Sequence, residues 1–190
     1  MPAPEQAEFV RLFLALDLPD PARGELTRWR DATLATRDEL RPVADAALHV
    51  TLVFLGRREQ ALVQSIWGSA AAAAAALAAP SFVVRGAKWI PPRRARLLAV
   101  DLEDREGRGA ALHAAVSSAL VDAGLHESEG RPFWPHITVA RVRGRSKVRD
   151  TRPIPMGGTP FDAPVLTLYR SDLHPAGARY VPLERLELGG

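Results

Sequence analysis

Pro135-His136-Ile137-Thr138-Val139-Ala140-Arg141 is the stretch on which the reading of this chain turns, because a near copy precedes it as Leu48-His49-Val50-Thr51-Leu52-Val53-Phe54-Leu55. Both copies alternate a polar residue with an aliphatic one, the period of a half-buried β-strand. Side chains two apart on a strand share a face. His49 therefore points with Thr51, and His136 with Thr138, while Val50, Leu52, Ile137 and Val139 point into a core. Each copy offers an imidazole and a hydroxyl side by side on a strand that its apolar face anchors. By the same parity Arg141 falls with Val139, opposite His136, unless the strand ends or twists there. One His-x-Thr is an ordinary piece of strand; two in matching apolar frames point to a two-histidine site.

A second echo accompanies the first. Leu98-Ala99-Val100-Asp101-Leu102 repeats Leu14-Ala15-Leu16-Asp17-Leu18 almost letter for letter, and the intervals from Asp17 to His49 and from Asp101 to His136 are nearly equal. A helix is expected inside each interval. The first runs from about Pro21 to Leu34, with Asp20 as N-cap, and the second from about Gly109 to Val121, stopped by Gly124. Strand, helix, loop and His-x-Thr strand thus occur twice in the same order, which indicates internal duplication.

Around this frame, residues 1–8 read as a frayed tail and residues 41–47 as a loop, with the His49 strand ending at Gly56. A helix is expected over 58–79, with Leu62, Ile66, Ala70, Ala73 and Leu77 as its apolar stripe and Pro80 as its stop. Ser81 to Ile90 is a strand with a bulge at Gly86, and the segment after Arg141 to about Pro160 reads as an exposed, mobile loop. Phe161 to Arg170 and Arg179 to Leu188 are strands joined by a hairpin-type connection, and Pro182 puts the last strand at an edge. The fold class is α+β: one unit over residues 1–190 with two similar lobes, each a mostly antiparallel sheet with outer helices, and a groove between them.

The composition is that of an ordinary globular protein, 47% hydrophobic and 25% charged. No apolar run approaches the roughly 20 residues needed to span a bilayer, and the N-terminus has no signal-peptide pattern. The absence of cysteine removes disulfides, zinc-thiolate sites and thiol nucleophiles, and a cytoplasmic location is expected. The net charge is only +3 but unevenly placed. Arg141, Arg143, Arg145, Lys147, Arg149 and Arg152 face only Asp150, and Arg85, Lys88, Arg93, Arg94 and Arg96 form a second cluster. Such segments hold phosphates and nucleic acid, or are simply solvated surface.

If the two His-x-Thr strands face each other across the groove, one imidazole can be neutral while the other is protonated near neutral pH. Two hydroxyls between them suit the oxygens of an anion, and the set fits in-line attack at phosphorus. No metal is expected, since neither motif carries ligands at metal spacing.

These residues resemble the 2H phosphoesterase superfamily, marked by two copies of His-x-(Thr/Ser) in hydrophobic frames. The better match is its bacterial and archaeal RNA 2′,3′-cyclic phosphodiesterase branch, also called 2′-5′ RNA ligase-like or LigT-like. The resemblance runs through Arg11-Leu12-Phe13-Leu14-Ala15-Leu16-Asp17-Leu18-Pro19, both motifs, Arg131-Pro132-Phe133-Trp134 before the second, and Leu168-Tyr169-Arg170-Ser171. It implies a bilobal fold and cofactor-free, metal-independent opening of a 2′,3′-cyclic phosphate on RNA ends or nucleotides, leaving a 2′-phosphate. His49 and His136 carry over as the catalytic pair, with His49 as acid toward the leaving 3′ oxygen and His136 as base toward water. Thr51 and Thr138 carry over as phosphate ligands. It also implies reversible 2′-5′ joining of RNA, with a ribose hydroxyl in place of water.

Arg141 is weighed as a phosphate contact against a surface ion-pair partner. Phe13, Phe133 and Trp134 are weighed as base-stacking residues against core packing. His113, His126 and His174 are read as structural or solvent-exposed. The expected partner is RNA with a 2′,3′-cyclic phosphate end or a 2′,3′-cyclic nucleotide, bound by a monomer away from any membrane. Two rivals stand beside this: a phosphodiesterase for a small cyclic nucleotide or ADP-ribose cyclic phosphate, and a non-catalytic module that holds an RNA end. Mere holding does not need two proton-transfer groups, and the basic 141–152 segment leans toward RNA.

Overall fold

The strand that opens the chain, β1 (Phe9–Asp17), has two apolar faces of different use. Leu12, Leu14 and Leu16 enter the main core, whereas Phe13 and Ala15 join Tyr169 and Tyr180 in a small aromatic cluster on the other face. In the computed structural model, which describes residues 8–127, 130–174 and 177–189, β1 is followed by α1 (Asp20–Leu34), β2 (Leu40–Pro42), β3 (His49–Glu59), α2 (Val63–Ala74) and β4 (Ser81–Ile90). Then come β5 (Leu97–Asp104), α3 (Arg108–Asp122), β6 (His136–Val142), β7 (Phe161–Asp162), β8 (Val165–Asp172) and β9 (Arg179–Glu187).

Among the described residues the strands form two antiparallel sheets, one ordered β3-β1-β8-β9 and the other β2-β6-β5-β4-β7. Apart from β2 the orders correspond place for place: motif strand, feeder strand, then two more. The feeder strands pair identically with the motif strands, Asp17 opposite His49 and Ala15 opposite Thr51, Asp101 opposite His136 and Ala99 opposite Thr138. The second echo in the sequence is thus a repeat of strand pairing. The lobes, however, are not the two halves of the sequence. The C-terminal β8–β9 hairpin completes the N-terminal sheet, and β2, from between β1 and β3, crosses to the edge of the other sheet beside β6.

Several element boundaries differ from the periodicity-based expectations. α1 begins at Asp20 itself, with Pro19 in the N-cap position, one residue earlier than expected. Residues 41–47 are not all loop: Leu40–Pro42 pairs with β6 and Asp45–Ala47 is a 3₁₀ turn. β3 does not stop at Gly56, because Arg57 to Glu59 continue to pair with Phe9 to Arg11, the glycine taking up the bend at φ +70°. The expected 58–79 helix is correspondingly shorter. Its first residues belong to β3 and a 3₁₀ turn at Gln60–Leu62, and beyond Ala74 the chain turns to hydrogen-bond the C-terminus, Ala79 N–H donating to Gly189 O at 2.7 Å. Its buried line is Ile66, Ala70 and Ala74.

Helix α3, the bulge at Gly86 and the edge position of β9 agree with the sequence reading. Residues 143–160 contain no helix or strand but are tied down. Ala87 and Ile154 exchange both backbone hydrogen bonds at 2.9 Å, Trp89 Nε1–H donates to Arg152 O at 3.2 Å, and Met156 is buried. The expected tail, apart from Glu8, and Pro175 and Ala176 of the hairpin connection lie outside the described residues.

The helices lie on the core side of the sheets, away from the His-x-Thr faces. α2 and α3 pack on each other, and α3 reaches both β3 and β5. One apolar core runs through Leu14, Val50, Ile66, Leu98, Leu112, Ile137 and Leu166, uniting both sheets and the helices. β3 and β6 touch where the sheets meet, which brings the two motif strands side by side.

Candidate active site

Each motif histidine is held by the same local device. His49 Nδ1–H donates to Ala47 O at 2.8 Å, and His136 Nδ1–H donates to Trp134 O at 2.9 Å, the acceptor in both cases being two residues upstream. That bond fixes the neutral tautomer and leaves Nε2 with its lone pair toward the groove. At His49 the Thr51 hydroxyl donates to Nε2 at 3.0 Å.

The turn that presents the Ala47 carbonyl is pinned from α1. Arg23 donates to the carbonyls of Leu18, Asp45 and Leu48 at 2.8–3.1 Å, while Arg30, only 5% exposed, pairs with Asp31 and Asp45 and donates to Val43 O. Buried guanidinium donors are retained only when saturated in this way.

The aromatic surroundings differ between the two halves. Phe13 lies 4.9 Å from the His49 ring centroid, Tyr180 meets the same ring edge-on at 5.3 Å, and Phe13 stacks on Tyr169 at 5.2 Å. Phe13 is therefore a wall behind His49 and part of a buried cluster. On the other side Trp134, 37% exposed, stacks flat on His136 at 4.2 Å and donates from Nε1 to Asp101 at 2.6 Å. Phe133 stacks on His113 at 5.1 Å and packs against the core, so it serves the fold.

The two feeder aspartates lie opposite the histidines. Asp17 accepts from Tyr169 Oη at 2.7 Å and from the buried Thr167 hydroxyl at 3.0 Å, with Arg185 at 3.8 Å. Asp101 is paired with Lys88 at 2.6 Å. Burial, and then the bond to Asp17, push the Tyr169 phenol up to about 12.

Burial pulls the His49 pKa down to about 4; the Ala47 bond and the Asp17 charge oppose this, and the charges of His136 and Arg141 add to it. Because folding favours the neutral ring, the associated stability is present above pH 6.5 and is lost as pH falls from 6.5 toward 4. The ring is not wholly covered, which discounts the loss to on the order of 2 kcal/mol. Urea midpoints measured at intervals across that window are expected to fall with acidification in the parent protein and to fall less in His49→Gln.

Two residues occupy positions that strict alternation misplaces. In β6 Ala99 pairs with Thr138 but Leu98 with Ala140, so Val139 is an extra residue, a β-bulge. Val139 and Ala140 both turn to the core, and Arg141, opposite Leu97, returns to the face of His136 and Thr138. The parity expectation for Arg141 is corrected by that insertion. β3 carries the same device. Leu52 is extra between Thr51 and Val53, and Phe54, 59% exposed, pairs with Phe13 on the His49 face. Phe54 and Arg141 thus hold equivalent places in the two motifs. The sequence sign was present in the adjacent apolar pairs Leu52-Val53 and Val139-Ala140, which break the alternation after each threonine.

Two mirrored His-x-Thr strands with the same pairing, the same bulge and the same carbonyl-held imidazole meet at one groove. The model of the 2′-5′ RNA ligase superfamily matches residues 18–165. The chain belongs to that superfamily. Within it, this 2′-5′ RNA ligase superfamily chain is similar to an Escherichia coli K12 protein named RNA 2′,3′-cyclic phosphodiesterase, 31% identical over 185 residues that cover 94% of this chain and 96% of the relative. A protein of the same name from Methanothermobacter thermautotrophicus is 27% identical over 187 residues, 94% and 99% of the two chains. Among solved structures, one from Thermus thermophilus superposes with a TM-score of 0.78 at 29% identity, covering 95% of this chain and 98% of that one. E. coli LigT complexed with 3′-AMP gives 0.75 at 27% identity, covering 95% and 99%. The α+β fold of two antiparallel sheets is that of the LigT-like 2H phosphoesterases.

Proposed function

We propose that this protein is an RNA 2′,3′-cyclic phosphodiesterase that opens the cyclic phosphate with water and leaves a 2′-phosphate. The observation that carries the reading is the pair of carbonyl-held imidazoles, each beside a threonine hydroxyl, on matched strands at one groove. The names of the relatives supply the substrate class. In the reaction, His136 Nε2 takes a proton from water as its oxygen attacks phosphorus. The P–O3′ bond breaks, and His49 gives a proton to O3′. Thr51 and Thr138 hold the non-bridging oxygens, so charge that builds on them meets fixed donors. Phe54, exposed on the face of β3 that carries His49, and Trp134, stacked on His136, suit the nucleobase of the terminal nucleotide.

The reading keeps His49 as the acid although the free protein holds it neutral. A bound phosphate anion beside Nε2 favours the imidazolium, the direction in which Asp17 already acts. The reverse order, with His49 as base, is the second reading, and the lowered pKa favours it. The same pair, with the 5′ hydroxyl of a second RNA end attacking phosphorus in place of water and O3′ leaving, joins RNA ends by a 2′-5′ bond. The protein is taken to act as a monomer, since one chain supplies both motifs, and to work in the cytoplasm; no helix among the described residues is long and apolar enough to cross a membrane. Residues 1–190 are taken as one bilobal unit produced by duplication, on the strength of the repeated strand order and register.

The test is turnover of 2′,3′-cyclic-phosphate-ended RNA and of 2′,3′-cyclic nucleotides, with and without EDTA. The expected result is EDTA-resistant conversion to a 2′-phosphate. A 3′-phosphate product, or activity abolished by EDTA and restored by a metal, would contradict the mechanism.

A further inference from the structure

A groove of about 550 Å³ is lined by Arg41, Arg141, Arg179, His174 and Tyr180, together with Ala47. It is continuous with the site: the Ala47 carbonyl holds His49, the Tyr180 ring stands 5.3 Å from that imidazole, and Arg141 acts on it electrostatically. Its other lining arginine, Arg30, is neutralised by Asp31 and Asp45.

The remaining three are different. Among the described residues Arg41, Arg141 and Arg179 make no ion pair and no side-chain hydrogen bond, and no Asp or Glu lines the groove. Other arginines are matched, as Arg85 is with Glu103, Arg108 with Glu106, Arg152 with Asp150 and Arg170 with Asp172, or, like Arg93 and Arg94, stand exposed on the surface; these three are set apart by lining one groove together. Arg41 and Arg141 are moreover directly opposite each other on β2 and β6. Like charges placed so are destabilising in a bare sheet and become favourable when an anion lies between them. Arg179 comes from the other sheet, and Gly177 just before it lies against Arg41, whose guanidinium would be 3.3 Å from a side chain placed there.

We propose that this groove is a subsite for the phosphodiester that links the terminal nucleotide to the one before it, so that the enzyme selects RNA ends over cyclic mononucleotides. The inference rests on the cyclic-phosphate reading. The reacting group is the 3′ terminus of a strand, so everything beyond the terminal nucleoside lies on its 5′ side. The first anion met there is that internucleotide phosphate. A planar guanidinium gives two parallel donors to a phosphate, and three around one groove suit a diester passing through without reading its base.

The test compares three synthetic substrates: a nucleoside 2′,3′-cyclic phosphate, the same compound with a 5′-phosphate, and a dinucleotide ending in the cyclic phosphate. For the parent protein kcat/KM on the dinucleotide is expected to exceed that on the plain mononucleotide by about tenfold or more, and the advantage to shrink as salt rises. In Arg41→Gln, and independently in Arg179→Gln, the ratio of the two constants is expected to fall toward unity while turnover of the mononucleotide reports that the fold is intact. The 5′-phosphorylated mononucleotide separates a site for a diester from one for any 5′ phosphate. If it matches the dinucleotide, the groove binds a terminal phosphate and the proposal is overturned. Equal use of mononucleotide and dinucleotide by the parent, or arginine variants that lower both alike, would also overturn it. Binding of a dinucleotide ending in a 2′-phosphate, measured by calorimetry for the parent and both variants, reads the groove without turnover. It therefore separates failure of the subsite from failure of the catalytic reading.

Discussion

His49→Ala and His136→Ala are each expected to lower turnover of a 2′,3′-cyclic phosphate by about 10²–10⁴-fold, the range for loss of a positioned acid or base. Both rings are fixed through Nδ1 to a backbone carbonyl, at 2.8 Å and 2.9 Å, so the groove sees only Nε2. Substitution by glutamine tests the proton directly, since an amide does not titrate and glutamine is not expected to restore activity. The two roles separate with a substrate whose leaving 3′ oxygen is replaced by sulfur. A thiolate leaves without protonation, so the variant lacking the acid recovers and the variant lacking the base does not. With His49 as acid, His49→Ala is rescued by the sulfur substrate and His136→Ala is not. Rescue of His136→Ala alone would establish the reverse order, and rescue of neither would argue against paired proton transfer. A pH–rate profile does not decide between the two orders, because they give the same bell.

Thr51→Val and Thr138→Val are each expected to cost about 10²–10³-fold in kcat, the loss seen when one preorganised donor to a developing oxyanion is removed. Valine keeps the branched shape and strand preference of threonine, so the sheets are expected to be undisturbed and the thermal midpoint to stay close to the parent's. A loss confined to KM would mean that the hydroxyls bind the ground state and the transition state equally. The double variant matters most. If the threonines hold one phosphate between them, removing the second hydroxyl is expected to cost less than removing the first, because the anion is already misplaced. The two residues are not in identical states in the free protein, since the Thr51 hydroxyl is engaged by His49 Nε2 at 3.0 Å. That bond must be exchanged for one to phosphate on binding.

The pairing of the feeder strands shows why so much of this was readable from residues alone. Leu14 to Leu18 and Leu98 to Leu102 repeat because each must present one face to a shared core and an aspartate opposite a histidine. That demand acts residue by residue at period two, so it is written in the local order of polar and apolar side chains. The longer elements were legible for the same reason, with Leu112, Val116 and Leu120 of α3 at helical spacing. Their ends were less so. Whether Arg57 to Glu59 continue a strand, or Leu77 to Ala79 a helix, depends on which distant backbone is there to pair with them: Phe9 to Arg11 in one case, Gly189 in the other.

The sequence by itself determined the α+β class, the two His-x-Thr strands, the imidazole and hydroxyl on one face of each, and the matching frame around them. These follow from periodicity, which is a property of the chain. Tertiary structure alone decided the rest. The exchange of β2 and of the β8–β9 hairpin between lobes could not be read, because a three-residue strand is too short to show a period and pairing partners are set by packing. The bulges at Leu52 and Val139 brought Phe54 and Arg141 round to the faces that carry His49 and His136. A bulge is one residue more than the partner strand has, so it exists only in the pairing of two strands and not in either one. The same holds for the arginine groove. Arg41, Arg141 and Arg179 stand far apart in the chain, and only the folding of two sheets against each other puts their charges around one space.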